Sequence, residues 1–284
     1  MNVTDSERQF FTQCAMFDPA NAENDPQMVG DIEMPDFNEL MHELASIYFN
    51  LGPTGYAEAI EDHRSKFAVG CAWNENFKQI LLTGLRMGVD ENNGACANEL
   101  GSFYYIGDIV EQDYAKAAEY YEIAANLGYV QAIVNLGYIY EYGRIGQPDY
   151  AKAYMYYSFA AAAFRDAEAL YKMGDLFSGG KGVEQNKKAA LTLWQSSFDN
   201  AVSDEIKAQP ALRMANVLVD QAECDALGVQ FDPLTALQLF QLAEIGLRQS
   251  IANGLTYYEK RLREAIEGQA KARGLLDQQV DFNG

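Results

Sequence analysis

The feature that most constrains this chain is an internal repeat. Residues 98–129 and 134–165 align without gaps, and 14 of the 32 aligned positions carry the same amino acid. Both segments contain Asp-Tyr-Ala-Lys-Ala, followed by a Tyr-Tyr pair and then an Ala-Ala pair. Repeats of this length are typical of folds that stack one supersecondary unit many times, so the repeat determines the architecture before any search for chemistry.

The spacing of the matched residues predicts two helices in each copy. In "LGSFYYIG" (100–107) the leucine, tyrosine and glycine recur at helical spacing, and "AKAAEYYEIAANLG" (115–128) places its alanine and tyrosine pairs on one helical face. Asp113 is a good N-cap acceptor for the second helix, and Gly128 stands where a left-handed residue ends a helix. Each copy is therefore predicted to be a helix, a turn containing glycine and a second helix.

Further copies extend the pattern in both directions. A third copy follows from residue 166, and a fourth, with inserted loop residues, ends near residue 246. A fifth first helix (251–273) lacks a second half and is expected to cap the stack. Upstream, 44–52 and 55–70 imitate the two helices, while the place of a helix over 74–88 in the pairing stays open. Small residues, among them the aligned Gly101, Gly137 and Gly174, are expected to let helices approach closely while tyrosines fill the interfaces.

The pattern LGxxYxxG followed by DYAKAxxYYxxAAxxG resembles the Sel-one-like repeat family, a branch of the tetratricopeptide-like helical repeats. The resemblance implies an all-α fold, an α/α superhelical solenoid of stacked helix-turn-helix repeats. We divide the chain accordingly into an acidic, partly ordered N-terminal arm (1–37), a degenerate helical repeat region (38–94), the Sel-one-like repeats (95–250) and a C-terminal capping helix with its tail (251–284).

Charge narrows the class of partner. The chain has 21 Lys and Arg against 41 Asp and Glu, a formal net charge of −20. Such a surface repels phosphate backbones and anionic lipid heads, and it attracts basic proteins. No apolar run reaches about 18 residues, and the N-terminus lacks the basic-then-apolar pattern of a secretory signal. We therefore expect a cytoplasmic protein that binds neither nucleic acid nor a membrane.

Few residues suggest catalysis. The two histidines and the four cysteines lack metal-ligand spacing, and His42-Glu43 has Ser46 where an HExxH site needs its second histidine. The stretch "SGGKGVEQNKK" (178–188) lacks the GxxxxGK[ST] pattern of a phosphate loop and is predicted to be a turn. We expect no catalytic residue, no metal and no cofactor.

The remaining candidate site is a surface. First helices of successive pairs line the concave side of such a superhelix, and the faces that their core positions leave unused are predicted to contact a partner. The predicted partner-binding residues are Asn98, Ser102, Tyr105, Gln131, Val134, Tyr138, Glu141, Glu168, Tyr171, Asp175, Leu212 and Asn216. Tyrosine offers rigid area with a hydroxyl, and carboxylates pair with Lys or Arg.

These observations leave several functions open. The first is a non-enzymatic interaction scaffold or adaptor that binds a basic protein or peptide in its concave groove, with a neutralising, immunity-type partner of a basic toxin as a sharper variant. The resemblance implies this class, since such repeats usually mediate protein assembly. The alternative is a hydrolase that uses carboxylates or a cysteine in a concave pocket. A third hypothesis is self-association through the acidic N-terminal arm and the basic C-terminal helix.

Overall fold

The computed structural model describes residues 3–16, 28–29, 32–33 and 36–283. The chain divides into two compact units. The N-terminal unit consists of Met1–Ile139 with Gly143–Gln147, and the C-terminal unit consists of Tyr140–Tyr142 with Pro148–Gly284. The boundaries that we predicted follow the repeats instead, and they stay predictions.

Helices make up nearly all of the described chain. Those that begin in the N-terminal unit are α1 (Asp5–Ala15), α2 (Phe37–Asp62), α3 (Arg64–Trp73), α4 (Glu75–Asp90), α5 (Gly94–Ile106), α6 (Tyr114–Asn126) and α7 (Val130–Glu141), of which α7 ends with two residues assigned to the C-terminal unit. The strands β1 (Met28–Val29) and β2 (Ile32–Glu33) form one short antiparallel ladder. The helices of the C-terminal unit are α8 (Tyr150–Phe164), α9 (Ala167–Gly179), α10 (Lys187–Asn200), α11 (Asp204–Leu218), α12 (Gln221–Leu227), α13 (Pro233–Ala252) and α14 (Glu259–Asn283), with a 3-10 turn (Thr256–Tyr258) before α14.

The ends of the repeat helices follow from local hydrogen bonding, as predicted. The Asp113 carboxylate caps α6 by accepting hydrogen bonds from the backbone N–H groups of residues 115 and 116 at 3.1 and 3.0 Å. The aligned Asp149 and Asn186 cap α8 and α10 through the N–H of the third helical residue. Gly128 follows α6 with φ 84°, a left-handed conformation that glycine adopts without steric cost.

Glycine and tyrosine set the spacing of the first repeat. The ring of Tyr121 on α6 lies against Gly101 on α5, where an added Cβ would stand 2.6 Å from ring carbons. Tyr104 and Tyr120 stack with 5.7 Å between centroids and 5° between planes, and the Lys116 ammonium lies 5.2 Å from the Tyr104 ring. These contacts join the start of one helix to the end of the other, so α5 and α6 run in opposite directions. The predicted roles of the glycine and the tyrosine pair are confirmed for this copy.

The C-terminal unit shows both kinds of contact again, with a tryptophan over the glycine and with a second stacked tyrosine pair. Trp194 of α10 lies against Gly174 of α9, where an added Cβ would stand 2.5 Å from the indole Nε1. Tyr140 and Tyr156 stack with 5.6 Å between centroids and 7° between planes, and the Lys152 ammonium lies 4.7 Å from the Tyr140 ring. A large ring over a helical glycine is therefore the common element of these interfaces.

A contact that the sequence analysis missed joins consecutive repeats of the N-terminal unit. Arg144, in the turn after α7, places its guanidinium 5.2 Å from the ring of Tyr114, the first residue of α6. Asp108, in the turn after α5, accepts hydrogen bonds of 2.8 and 3.0 Å from Arg64, the first residue of α3. In both cases a turn residue holds the first residue of an earlier helix, and we call this contact a turn clasp.

A turn clasp also occurs in the C-terminal unit. The Lys181 ammonium lies 5.6 Å from the ring of Tyr150, the first residue of α8. The turn clasp thus changes from the ion pair of Asp108 to the cation–π contacts of Arg144 and Lys181, while its position in the repeat is kept. Lys187, the first residue of α10, is held differently, by an ion pair of 2.9 Å with Glu223 of α12.

Upstream of residue 94, the sequence suggested a first helix over 44–52 and a second over 55–70. The structure divides α2 into two helical segments at Gly52, which has φ 74° and a non-helical ψ of 178°. The second segment ends at Asp62 and not at residue 70, because the separate helix α3 begins at Arg64. Pro53 then starts the second segment of α2, in a position where its missing N–H costs nothing. The partner that packs along α2 is α4, which also packs on α5.

Two downstream predictions need correction. The insertion in the fourth copy is not only loop, since it contains the seven-residue helix α12. The last helix begins at Glu259 and not at residue 251, because α13 continues to Ala252. Gly254, with φ 95°, follows the end of α13 and redirects the chain.

The beginning of the chain packs onto the N-terminal unit. Phe11 of α1 is fully buried, with its ring 5.5 Å from that of Tyr48 and 6.1 Å from that of Tyr56. Glu7 forms an ion pair with Arg86 of α4 at 2.9 Å. Beyond residue 16, the described residues of the predicted N-terminal arm are β1, β2, and Asp36 and Phe37 at the start of α2.

Candidate functional site

The twelve predicted partner-binding residues differ in exposure. Gln131 and Asn216 are exposed, Ser102, Tyr105, Tyr138, Glu168 and Asp175 are half-buried, and Asn98, Val134, Glu141, Tyr171 and Leu212 are buried. Exposure alone does not test whether any of them binds a partner, and for the accessible residues that contact stays a prediction.

For the buried residues, the predicted placement on an open face is wrong. Val134 and Leu212 are 0% exposed. Asn98, Val134 and Tyr171 occupy the same position of successive copies, and that position packs against neighbouring helices because each first helix is covered on more than one side. Glu141 is buried, and it forms an ion pair with Lys172 that the sequence did not predict.

Helix α5, the first helix of the first repeat copy, contributes to a compact charged cluster. The Arg64 guanidinium donates hydrogen bonds to Glu99 at 2.9 Å and Ser102 at 2.8 Å while it also binds Asp108. It lies 4.8 Å from the ring of Phe103. Burial raises the pKa of Glu99 to about 7, and the opposing effect of Arg64 only partly offsets it. The cluster therefore ties α3 to α5.

Amide side chains of the N-terminal unit form hydrogen bonds with one another. Asn135 donates a hydrogen bond of 3.1 Å to Asn98, and Gln131 donates one of 3.3 Å to Asn135. Arg144 donates a hydrogen bond of 3.3 Å to the hydroxyl oxygen of Tyr105. These bonds hold the side chains in one arrangement, which lowers the entropy that a bound partner would have to remove.

In the C-terminal unit, α9 carries a buried ion pair. The Lys172 ammonium lies 2.7 Å from Glu141, with side-chain exposures of 4% and 8%. The same carboxylate accepts a hydrogen bond of 2.8 Å from Tyr157, and Lys172 donates one of 3.2 Å to Tyr142. Burial lowers the pKa of Lys172, but Glu141 outweighs it and the net pKa is raised, so the ammonium stays charged.

A second ion pair lies one helical turn further along α9. Arg213 of α11 contacts both carboxylate oxygens of Asp175. The Trp194 indole N–H donates to Asp175 at 3.1 Å, and Gln209 accepts from Arg213 at 3.1 Å. The guanidinium also lies 4.9 Å from the ring of Tyr171. The bidentate geometry and the ring beneath it fix the position of Arg213.

Exposed tyrosines border these ion pairs. Tyr142, which contacts Lys172, is 51% exposed, and Tyr257 is 69% exposed. The Tyr257 and Tyr258 rings lie 4.4 Å apart, and burial, together with the charges of Tyr257 and Glu168, raises the pKa of Tyr258. We call Tyr142, Glu168, Asp175 and Tyr257 the α9 surface.

The four cysteine thiols are held in an unreactive state. Burial raises the pKa values of Cys71 and Cys96 to about 12, and it also raises those of Cys14 and Cys224, so the thiols stay protonated at neutral pH. In the described part of the chain, no three His, Cys, Asp or Glu side chains converge as metal ligands. An open depression of about 500 Å³ is lined by α2 alone. None of the described helices is long and apolar enough to span a bilayer.

Three segments match the Sel1 repeat family: residues 94–129, 130–163 and 167–201. Their starts coincide with those of α5, α7 and α9. No curated protein matches the chain.

Solved structures show the same fold. The structure of c5321, a protective antigen present in uropathogenic Escherichia coli strains that displays an SLR fold, is 18% identical with a TM-score of 0.52 and matches 84% of this chain. This chain spans only 48% of the length of that protein. A Sel1 repeat protein from Oxalobacter formigenes is 18% identical with a TM-score of 0.51, and the match covers 82% of this chain and 98% of that one. The predicted all-α fold of stacked helix-turn-helix repeats is confirmed.

Proposed function

This chain carries three consecutive Sel1 repeats, and on that premise we propose that it is a non-enzymatic scaffold for protein–protein interaction. Sel1 repeat proteins generally act in this way. The observation that best supports the proposal is the α9 surface, where the exposed Tyr142 contacts the Lys172 of a buried ion pair and the exposed Tyr257 adds a second aromatic side chain. Large rigid aromatic side chains on a preorganised base contribute most of the binding energy in many protein interfaces.

We propose that the partner is a basic protein or peptide. The net charge of −20 would raise the rate of encounter with a basic partner and oppose that with an acidic one. The carboxylates of Glu141 and Asp175 are already paired with Lys172 and Arg213, so selectivity for a basic partner rests on the field of the whole acidic surface. A neutralising role toward a basic toxin is one form of this proposal, and its support is the charge alone. A cytoplasmic location is part of this proposal.

The hydrolase alternative has one residue in its favour. Glu99, with a pKa of about 7, has the acidity of a general acid or base. Its side chain is only 5% exposed and is held by Arg64, so a substrate has little access to the carboxyl group. Interaction is therefore the function that the geometry supports best.

The test is a comparison of binding by matched variants. The partner is identified by affinity purification from the source cell with mass spectrometry, then purified and measured by calorimetry. We expect Tyr142→Ala with Tyr257→Ala to weaken binding by at least about tenfold, since two exposed aromatic contacts are lost. The control is Gln195→Ala with Asp199→Ala, two exposed residues of α10. Unchanged affinity of the tyrosine variant would place the interface elsewhere.

The same partner tests the charge argument. For a basic partner, we expect the association rate to fall as salt is raised and Glu168→Lys to lower it further. An association rate independent of salt would contradict the proposed basic class. Glu141 is unsuitable for this test, because its reversal to Lys would place two buried ammonium groups side by side and disrupt folding.

A further inference from the structure

The outward side of α8 carries three exposed large apolar side chains. Met155, Phe159 and Phe164 are 53%, 56% and 45% exposed. The rings of the two phenylalanines meet edge to face with 6.1 Å between centroids. We call Met155, Phe159 and Phe164 the α8 strip. Because the side chains leave half of their area in water, folding alone does not explain why they are apolar.

The repeat alignment shows that the fold does not require apolar residues here. The positions of Met155 and Phe159 correspond to Glu119 and Ile123 in the first copy. In the third copy the residue aligned with Phe159 is Ser196. Polar residues at these positions are thus compatible with the same helix pair, and the α8 strip is a feature of the second copy.

Charge distinguishes the strip further. Although the chain has 41 Asp and Glu, α8 contains none of them. The two cations of this segment, Lys152 near the start of α8 and Arg165 directly after its end, are exposed. Asp149 and Asp166, the carboxylates next to these cations in sequence, are half-buried helix caps that accept backbone hydrogen bonds. The exposed charges at the two ends of the strip are therefore positive, on a strongly acidic molecule.

We propose that the α8 strip docks an amphipathic helix of a partner protein whose apolar side is bordered by Asp and Glu. An apolar helix face lies along exposed side chains spaced by about one turn, as Met155 and Phe159 are. Carboxylates on the docked helix would complement Lys152 and Arg165. Together with the α9 surface of the proposed function, this second site would make the protein an adaptor that joins a basic and an acidic partner.

A second copy of this chain fits the strip less well. If two copies of α8 paired antiparallel, Lys152 of each would approach Arg165 of the other, and parallel pairing would oppose like residues. Either arrangement places like charges together without a carboxylate from α8 to relieve them. The charge pattern therefore favours an acidic helix over self-association.

The test uses two designed peptides of about 18 residues, long enough to lie along α8. Both are hydrocarbon-stapled amphipathic helices with the same leucine stripe, one flanked by Glu and the other by Lys. Fluorescence anisotropy measures binding to the full chain. We expect the Glu-flanked peptide to bind at least about tenfold more tightly than the Lys-flanked peptide.

Variants locate the peptide site. Phe159→Glu is expected to weaken binding by about tenfold or more, and Arg165→Glu is expected to reverse the preference between the peptides. Ile245→Glu, at a residue of α13 that is 53% exposed, is the matched control and should leave binding unchanged. Circular dichroism verifies that each variant is folded, and Met155→Ala provides a milder change if Phe159→Glu is not.

Several results would overturn the proposal. They are no binding of either peptide, equal binding of both, and binding that Phe159→Glu leaves intact. Light scattering that shows a dimer which Phe159→Glu converts to a monomer would assign the strip to a second copy instead. The tyrosine variants that test the α9 surface leave α8 unaltered. Failure of the α8 proposal can therefore be distinguished from failure of the proposed function at the α9 surface.

Discussion

The Lys172 ammonium and the Glu141 carboxylate meet at 2.7 Å where neither side chain is more than 8% exposed. Tyr157 donates to the same carboxylate, so the negative charge has two donors from different helices. A buried pair adds little to stability relative to an apolar pair of the same size, but an unpaired buried charge is costly. The pair therefore makes the C-terminal unit sensitive to loss of one partner.

We expect Lys172→Met to destabilise the protein by about 3–5 kcal/mol, because Glu141 would remain buried without its counterion. The double variant Lys172→Met with Glu141→Leu should recover most of that loss, since no charge is then left unpaired. Urea denaturation followed by circular dichroism measures both free energies of unfolding. Equal losses in the single and double variants would show that the pair is not coupled as the structure indicates.

The glycine beneath Tyr121 provides a second prediction. Gly101→Ala would place a methyl group 2.6 Å from the ring. We expect a loss of about 1–3 kcal/mol from overpacking, although alanine is the better helix former. The control is Gly274→Ala on α14, where nothing lies within 4 Å of the added Cβ, and there we expect a gain of up to about 1 kcal/mol. A stabilising Gly101→Ala would mean that the helices can separate at no cost.

Stability should depend on pH through Glu99. Its pKa is raised from 4.5 to about 7 by burial, against the opposing effect of Arg64, and Glu61 and Asp108 raise it further. The folded chain therefore holds a proton that the unfolded chain releases, so the stability that this proton contributes is complete below pH about 4.5 and is lost as pH rises through about 7. Tyr121 also lies close by and is uncharged in this range.

Replacing Glu99 with Gln should remove this dependence. Relative to the parent chain, Glu99→Gln is expected to become more stable by roughly 2–3 kcal/mol between pH 5 and pH 8. Glu122→Gln, at an exposed residue of α6, is the control and should alter the pH profile little. The measurement is urea denaturation across that range. A constant difference between parent and variant would contradict the raised pKa.

The prediction from sequence was most accurate for contacts made by residues that recur from copy to copy. Gly101 and Tyr121 recur at fixed spacing, and each has a role that follows directly from size, so the helix pair could be derived from them. Exposure was harder to derive. Asn98 is polar, and its aligned Val134 is apolar, yet both are buried, because the neighbouring helices and not the residue type decide which side of a first helix is open.

The turn clasps show why other contacts were missed. Asp108, Arg144 and Lys181 occupy aligned positions but bring an anion and two cations, so a comparison of identities finds no conserved chemistry there. Their partners change with them, from Arg64 to Tyr114 and onward along the chain. The structure is needed to show that this turn position holds the first residue of an earlier helix in each of these copies, although the type of interaction differs.

The turn after α9 supplies the last prediction, and it explains a glycine in the stretch "SGGKGVEQNKK". Gly182 has φ 70°, and a Cβ there would stand 2.7 Å from the backbone carbonyl carbon of Tyr150, the residue held by Lys181. Gly254 also has a positive φ, 95°, but nothing lies within 4 Å of its added Cβ. Gly254→Ala should therefore cost only the left-handed strain, about 1 kcal/mol, whereas Gly182→Ala should cost about 2–4 kcal/mol because backbone atoms cannot rotate away. Urea denaturation of the two variants measures the difference, and equal costs would show that the turn yields without disturbing the start of α8.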